Sequence, residues 1–244
     1  IMYNSLKSIA KNIIPQKVLI KNEYFFRRIL IPFYKGTNCQ CNICETKLKN
    51  FAVLGNGEKI CPICGSLPRS RRLYRLLNEE YLKPNLVVLD FSPFRILYSK
   101  LKPRKEINYF ASDFEDDFIA DYKFDMRKID TENDKFDLII CYHVLEHIIE
   151  DEVAMKELFR VLKKGGIVLV QTPFQEGEIY EDEKIVTAED RLKYFGQDNH
   201  VRIYSLSGLN ERLKNAGFKT EIRVLEEDTY FGLSKNERVI VCLK

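Results

Sequence analysis

The sequence has no apolar run that approaches the roughly 20 residues of a membrane-spanning helix. Its first thirty residues also lack the uninterrupted apolar stretch and the small-residue cleavage site of a secretory signal peptide. We therefore expect a cytoplasmic protein without a transmembrane segment.

The chain also has little excess charge of either sign. Its 244 residues include 39 Lys and Arg against 36 Asp and Glu, a formal net charge of +3. A charge this small does not by itself indicate nucleic-acid binding. The length suits one large domain with a small additional module.

The cysteines are unevenly placed. Five of the seven lie between positions 39 and 64, and four of these form two Cys-x-x-Cys pairs separated by 16 residues. Two such pairs predict a tetrahedral zinc site with Cys41, Cys44, Cys61 and Cys64 as ligands. Four thiolates close the coordination sphere, so we expect this zinc to be structural. Cys39 is a spare thiol that could replace Cys41, although Cys41 has the better spacing.

The two remaining cysteines, Cys141 and Cys242, lie in apolar, strand-like stretches. Thiols in such stretches are typically buried and inert. Thiolate ligands together with free core thiols fit a reducing cytoplasm.

Residues 1–38 form a basic, amphipathic segment that we predict to be helical. Up to residue 35 it contains seven Lys and Arg and a single acid, Glu23. We favour helices that pack on the chain's own domain. The alternative is a surface that contacts a membrane or a partner protein.

The predicted zinc ribbon, residues 39–67, is followed by a predicted helix over Pro68–Leu82. Its basic face consists of Arg69, Arg71, Arg72 and Arg75. A face of this kind is usually just solvated, but it could also bind a phosphate or an anionic substrate.

From residue 86 onward, apolar strand-like runs alternate with helical patterns. The predicted strands are Leu86–Asp90, Ile107–Ser112, Phe136–Cys141, Ile167–Gln171, Lys219–Leu225 and Arg238–Leu243, and the main helices are Phe94–Leu101, Asp151–Leu162 and Leu206–Ala216. This alternation predicts an α/β domain over residues 68–244 with a doubly wound, mostly parallel sheet.

Ligands of such sheets bind at the carboxyl ends of the strands. Asp113 ends the second strand, where a carboxylate can accept hydrogen bonds from two ribose hydroxyls. Asp125 lies on a later loop, where an adenine amino group could be bound.

The stretch Phe136–Phe174 resembles class I S-adenosylmethionine-dependent methyltransferases, most specifically in VLEH and LFRVLKKGG. The stretches CPICGSLPRSRRLYRLL and RLKYFGQDNHVRIYS resemble a bacterial subgroup with an amino-terminal zinc ribbon. The resemblance implies a seven-stranded sheet and S-adenosylmethionine as cofactor. The cofactor-binding residues that we expect are Asp90, Phe91, Ser92, Pro93, Asp113, Asp125, Met126, Cys141 and Tyr142.

The turn after the first strand departs from this family. Most members have Asp/Glu-x-Gly-x-Gly, whereas this chain has Asp90-Phe91-Ser92-Pro93-Phe94, without glycine. Glycine lets the backbone approach a cofactor closely. The zinc-ribbon subgroup resembles this chain in the departure, so we still expect binding. The lack of glycine disfavours a nicotinamide enzyme, whose pyrophosphate needs a glycine-rich turn.

His143-Val-Leu-Glu146-His147 also matches H-x-x-E-H, an inverted zinc-protease pattern with two histidine ligands and a glutamate base. We disfavour this interpretation because the match is short and lies at a strand-to-helix junction. In the methyltransferase interpretation, His147 is a packing or hydrogen-bonding residue.

Methyl transfer depends mainly on alignment of nucleophile, methyl and sulfur. A hydroxyl acceptor would need a general base, for which His143 is the first candidate and His200 the second. The insertion at residues 175–204 is long and acidic, and we predict that it is a lid or an acceptor-binding element.

We therefore expect methyl transfer to a small molecule or a glycan or envelope precursor. The first alternative is an RNA methyltransferase that holds RNA through the zinc ribbon and the basic helix. The second is a non-catalytic, methyltransferase-like binding scaffold.

Overall fold

The computed structural model describes residues 27–115 and 118–244. The predicted amino-terminal helical segment, and with it any membrane or partner contact, lies largely outside these residues. The chain forms two compact units, one comprising Ile1–Leu82 and Leu225–Glu237 and the other Lys83–Val224 and Arg238–Lys244. Within the described parts of the chain, no helix is long and apolar enough to cross a membrane.

The first unit is built from short elements around the cysteines. They are α1 (Ile31–Tyr34), β1 (Lys35–Gln40), β2 (Lys47–Leu48), β3 (Ala52–Val53), β4 (Lys59–Ile60) and α2 (Pro68–Leu76), which continues into a π-helical turn, Leu77–Tyr81. Strand β1 pairs antiparallel with β2, and β3 pairs antiparallel with β4.

Helix α2 begins where the sequence predicts. Pro68 occupies the first turn, where its missing N–H costs nothing. The hydroxyl of Ser70 accepts a hydrogen bond from the Leu67 N–H at 3.0 Å. Leu73, Leu76 and Leu77 are buried as expected from their spacing.

The prediction that the arginines of α2 form a solvated basic face is wrong. Arg71 is fully buried and Arg72 is 6% exposed. The guanidinium of Arg71 donates to the carbonyls of Lys59 and Phe231, both at 2.9 Å, and to those of Ser66 and Gly232. Helix α2 therefore belongs to the first unit, and not to the domain that we predicted to begin at residue 68.

The other arginines of α2 are paired with acids or carbonyls of the same unit. Arg72 donates to the carbonyls of Glu226 and Ser234 and lies 3.5 Å from the Glu237 carboxylate. The remaining two form ion pairs, Arg69 with Glu58 at 2.9 Å and Arg75 with Asp228 at 2.8 Å. The arginines of α2 are thus already paired inside the unit, so they do not form the basic face that could have bound an anionic ligand.

The second unit contains the predicted doubly wound sheet, which is confirmed. Its strands are β5 (Val87–Phe91), β6 (Asn108–Ser112), β7 (Phe136–Tyr142), β8 (Leu162–Gln171), β12 (Lys219–Leu225) and β13 (Glu237–Leu243), in the order β12-β13-β8-β7-β5-β6. Strands β6, β5, β7 and β8 are parallel, and β13 is antiparallel to β8. The helices between them include α3 (Arg95–Leu101), α4 (Asp151–Val161) and α6 (Leu206–Asn215).

This sheet has six strands in the described residues, whereas the resemblance implies seven. Next to β6 only a single parallel bridge forms, between Ser112 and Tyr122. Residues 121–135 are rich in Asp and Lys. These residue types are disfavoured in strands, which explains why this stretch makes isolated bridges and no ladder.

The core lies on both faces of the central strands. All but one residue of β7 are buried, as expected for an apolar run in a parallel sheet. Ala154, Met155, Leu158 and Val161 of α4 are fully buried in the same cluster. This packing fixes the position of the carboxyl end of β7, where the candidate site lies.

The insertion at residues 175–204 has its own small sheet. It contains β10 (Tyr180–Glu181) and α5 (Ala188–Phe195), and it is bounded by β9 (Phe174–Gln175) and β11 (Arg202–Ser205), with β11 between the other two strands. Arg202 and Arg212 both pair with Glu181, and Arg212 also pairs with Asp151 of α4 at 2.7 Å. These ion pairs attach the base of the insertion to the core.

Candidate metal and cofactor sites

The four predicted zinc ligands converge. The sulfur atoms of Cys41, Cys44, Cys61 and Cys64 all lie within 4.8 Å of one another, with Cys41 Sγ 3.6 Å from Cys64 Sγ and Cys44 Sγ 3.8 Å from Cys61 Sγ. A tetrahedral zinc with Zn–S bonds of about 2.3 Å requires sulfurs about 3.8 Å apart. The geometry therefore fits a structural Cys₄ zinc site, as predicted.

The two cysteine pairs have the same local backbone structure. Cys41 O accepts from the Glu45 N–H at 2.7 Å, and Cys61 O accepts from the Gly65 N–H at 2.9 Å. Glu45 and Gly65 both adopt left-handed backbone conformations, with φ of 60° and 76°. Each turn thus directs its two sulfur atoms towards the shared cluster of four.

Cys39 is not a fifth ligand. Its buried thiol donates to the carbonyl oxygen of Leu48, with a sulfur–oxygen distance of 3.6 Å. Burial raises the pKa of the Cys39 thiol, which disfavours the thiolate that zinc would need. The sulfur of Cys41 lies in the cluster of four and that of Cys39 does not, so Cys41 remains the predicted ligand.

At the other candidate site, the turn after β5 is joined to the end of β6 by a direct hydrogen bond. The Ser92 hydroxyl donates to Asp113 Oδ1 at 2.7 Å, and the Phe118 N–H donates to Asp113 Oδ2 at 3.1 Å. Ser92 has φ of 47°, a left-handed conformation that glycine usually adopts. Ser92 thus adopts the left-handed backbone conformation that a glycine would adopt in this turn, and its hydroxyl orients the Asp113 carboxylate.

The surroundings of Asp113 fit an adenosine group. Each carboxylate oxygen has two lone pairs, so Asp113 can still accept from ribose hydroxyls. Phe114 and Phe118 flank it, with 44% and 45% of their surface exposed. Exposed aromatic rings beside a carboxylate can stack on an adenine while the carboxylate binds the ribose.

Several predicted cofactor-binding side chains lie in the interior. Asp90 is 2% exposed and accepts a hydrogen bond from the Tyr109 hydroxyl at 2.7 Å. Phe91, Met126 and Cys141 belong to the hydrophobic core. Any contact of these four residues with a cofactor therefore falls to their backbone atoms.

Burial raises the pKa of Asp90 to about 7, and the hydrogen bond from Tyr109 partly opposes this rise. The carboxyl group is thus poised between its neutral and charged forms near neutral pH. This matters for stability, because a buried charge is costly.

The remaining predicted positions differ in exposure. Pro93 and Tyr142 are buried, at the ends of β5 and β7. Asp125 lies nearer the surface and pairs with Arg127 at 2.8 Å, which lowers the pKa of the Asp125 carboxyl. An adenine contact by Asp125 would compete with this ion pair.

The two predicted catalytic residues, His143 and His200, both lie close to Glu146. His143 Nδ1 lies 3.3 Å from Glu146 Oε1, and His143 has a left-handed φ of 57°. His200 packs against His147, with ring centroids 4.7 Å apart and planes at 85°. Ligand atoms of Glu146, His147 and His200 all lie within 4.8 Å of one another. We call these three residues the Glu–His–His cluster.

The sequence predicts Glu146 as a base only in the disfavoured protease pattern, and His147 as a packing residue. The H-x-x-E-H spacing points to a group of ligand-type side chains here, but it predicts His143 and His147 on one helical face. In the structure Leu145–His147 is a 3₁₀ turn and His143 precedes it. His200 takes the place of His143 as the neighbour of His147.

The fold thus places a carboxylate and two exposed aromatic rings at the carboxyl edge of the sheet, where ligands of doubly wound folds bind. The methyltransferase domain family matches residues 63–221 of the chain, well over half of its length. The chain belongs to this family. A solved structure of an S-adenosylmethionine-dependent methyltransferase from Archaeoglobus fulgidus has the same fold, with a TM-score of 0.52 and 15% identity over 71% of this chain and 91% of that one.

Two curated relatives are tRNA U34 carboxymethyltransferases. The protein of Sulfurovum sp. (strain NBC37-1) is 28% identical over 154 residues, which is 63% of this chain and 46% of the relative. The protein of Wolinella succinogenes is 36% identical over 84 residues, 34% of this chain and 28% of the relative. The chain thus spans less than half the length of the curated relatives that it matches.

Proposed function

We propose that this protein transfers a methyl group from S-adenosylmethionine to RNA, with tRNA as the substrate class. The similarity to two tRNA-modifying enzymes contradicts our expectation of a small-molecule, glycan or envelope-precursor acceptor. The same similarity favours the RNA alternative. The observation that carries the proposal is a family-matched transferase fold with the Ser92–Asp113 pair at its ligand-binding edge.

The cofactor supplies the chemistry, since its sulfonium already activates the methyl group. In our proposal Asp113 accepts hydrogen bonds from the ribose hydroxyls, and Ser92 holds the carboxylate in position. Phe114 and Phe118 stack on the adenine. His143, at the end of β7, takes a proton from the acceptor.

The RNA-binding surface must differ from the basic helix of our first RNA interpretation, because the arginines of α2 are internally paired. We propose the insertion at residues 175–204 as the acceptor-binding element. Leu192 and Tyr194 are exposed on α5, and Tyr180 is partly exposed nearby in the chain. Unstacked bases bind to exposed aromatic rings of this kind.

The acidity of the insertion opposes RNA binding less than its composition suggests. Glu181 is paired with both Arg202 and Arg212. These ion pairs hold the pKa of the Glu181 carboxyl below its ordinary value, against the effect of burial. The charge of this acid is thus compensated locally.

The test is transfer of tritiated methyl from S-adenosylmethionine to unmodified tRNA transcripts and to total tRNA. We expect acid-precipitable label that is lost in Asp113→Ala and retained in the control Glu211→Gln, whose side chain is exposed on α6 outside the insertion. Nuclease digestion and mass spectrometry then locate the methylated nucleotide. Cofactor binding without transfer to any RNA, under conditions where a small-molecule pool becomes labelled, would overturn the proposal.

We also propose a cytoplasmic location. The seven cysteines are all free thiols, and four of them suit a zinc site that needs reduced sulfur. Fractionation of cells that express the chain would test this, with periplasmic or extracellular recovery as the contradicting result.

A further inference from the structure

We propose that Glu146, His147 and His200 form a second metal site, specific for a divalent transition metal. The site is distinct from the Cys₄ zinc site and needs no assumption about the methyl acceptor. The three residues come from the turn after β7 and from the end of the insertion, so they converge only in the folded chain.

The first argument is the state of the Glu146 carboxylate. Glu146 is 1% exposed. Its Oε1 lies 3.3 Å from His143 Nδ1, whereas Oε2 has no hydrogen-bond partner among the described residues. A buried carboxylate with so little pairing is costly, and buried charges are normally paired or coordinate metals.

The second argument is the ligand chemistry. Two imidazoles and one carboxylate form a three-ligand set that is common in transition-metal sites with open positions. The ligand atoms lie within 4.8 Å of one another. Binding of an ion at a bond length of about 2.1 Å would draw these atoms closer together. One carboxylate and two neutral imidazoles would leave a bound divalent cation with a net charge of +1.

The third argument is the support around the ligands. The Val201 N–H donates to the Glu146 carbonyl at 2.9 Å, which ties the two ligand-bearing segments together. The backbone of Phe195 lies close to the His200 imidazole and favours its N–H. Hydrogen bonds to ligand imidazoles fix the ring orientation and the tautomer in metal sites. His200 is also 5% exposed, so its ring has little freedom to turn towards solvent.

The test separates this site from the Cys₄ site by metal preference. The carboxylate of Glu146 suits Mn²⁺, whereas thiolates favour zinc, and zinc binds imidazole more tightly than Mn²⁺ does. We would therefore prepare full-length protein with a single zinc per chain, held by the four thiolates, titrate Mn²⁺ into it and follow free Mn²⁺ by electron paramagnetic resonance. We expect one Mn²⁺ per chain with zinc content unchanged. A Co²⁺ titration should give d–d absorption without thiolate-to-cobalt charge transfer.

The variants are His200→Ala and Glu146→Gln, with Glu152→Gln as a control, because Glu152 is an exposed acid in the first turn of α4. We expect at least about tenfold weaker Mn²⁺ binding in the first two and no change in the control. Circular dichroism and zinc content confirm that each variant is folded. Equal Mn²⁺ affinity in folded His200→Ala and wild type, or no Mn²⁺ binding by wild type, would overturn the proposal. Neither result depends on methyl transfer, so the RNA proposal can fail separately.

Discussion

The Ser92 hydroxyl donates a 2.7 Å hydrogen bond to Asp113 Oδ1, and this bond joins the turn after β5 to the end of β6. The bond connects a residue in a glycine-like conformation to the carboxylate that we assign to the ribose. In this chain a side chain therefore does part of what a glycine-rich turn does in other methyltransferases.

Substitutions at Ser92 should separate the hydrogen bond from the backbone conformation. Ser92→Ala loses the bond and keeps the left-handed strain, whereas Ser92→Gly loses the bond but relieves a strain of roughly 1–2 kcal/mol. We expect cofactor affinity and thermal stability in the order wild type, Gly, Ala. Calorimetry with S-adenosylhomocysteine and thermal unfolding measure these quantities. An alanine variant as good as the glycine variant would contradict this account of the turn.

Asp90 should make the second unit less stable as the pH rises. The pKa of Asp90 in the folded protein, about 7, lies above its ordinary value of 3.8, so the folded state retains the proton that the unfolded state releases. This contribution to stability falls as the pH rises towards 7 and is lost above it, by about 2 kcal/mol between pH 5.5 and 8.5.

The neutral variant Asp90→Asn removes this titration. We expect it to gain stability over wild type at pH 8.5 and to gain less at pH 5.5, as measured by urea unfolding followed by circular dichroism. A difference between variant and wild type that is the same at both pH values would show that Asp90 does not titrate in this range.

Zinc should depend on Cys61 and not on Cys39. Cys61→Ser removes one of four ligands, so we expect loss of zinc and unfolding of the ribbon, because structural zinc binding is coupled to folding. Cys39→Ser is the matched control, since its thiol lies outside the cluster of four sulfurs and donates to the Leu48 carbonyl. Elemental analysis measures the zinc content of both variants. Zinc loss in Cys39→Ser equal to that in Cys61→Ser would contradict the ligand assignment.

Arg71 should matter far more to stability than Arg75, although both lie on α2. Arg71→Met removes the buried guanidinium that donates to four backbone carbonyls, and we expect a loss of about 3–5 kcal/mol. Arg75→Gln breaks partly exposed ion pairs, which are worth at most about 1 kcal/mol. Chelator-induced zinc release and thermal unfolding measure both. Similar losses in the two variants would indicate that Arg71 is not a structural residue.

The sequence predicts those parts of the molecule that local pattern determines. Apolar runs such as Phe136–Tyr142 identify the strands, and the paired cysteines identify the zinc site. It does not predict the role of Arg71, because Gly232, one of its partners, is 161 residues away in the chain. A basic helical face and a set of buried structural arginines have the same spacing.

The candidate site shows the same limit. Asp113 can be found from its place at a strand end, but its bond to Ser92 depends on a backbone angle that serine rarely adopts. Glu146 and His147 carry a recognisable spacing. Their neighbour His200 lies more than fifty residues further along the chain, and only the folded insertion brings it near.

The first unit includes residues 225–237, close to the carboxyl end of the sequence. While the chain is being made on the ribosome, the zinc ligands therefore emerge long before Phe231 and Gly232, whose carbonyls receive Arg71. A ribbon formed at that stage would hold its zinc while the Arg71 guanidinium still lacked these two acceptors. The zinc-binding module can therefore be completed only after residue 232 has been made, so a chain truncated before residue 225 would keep a ribbon in which Arg71 lacks these acceptors.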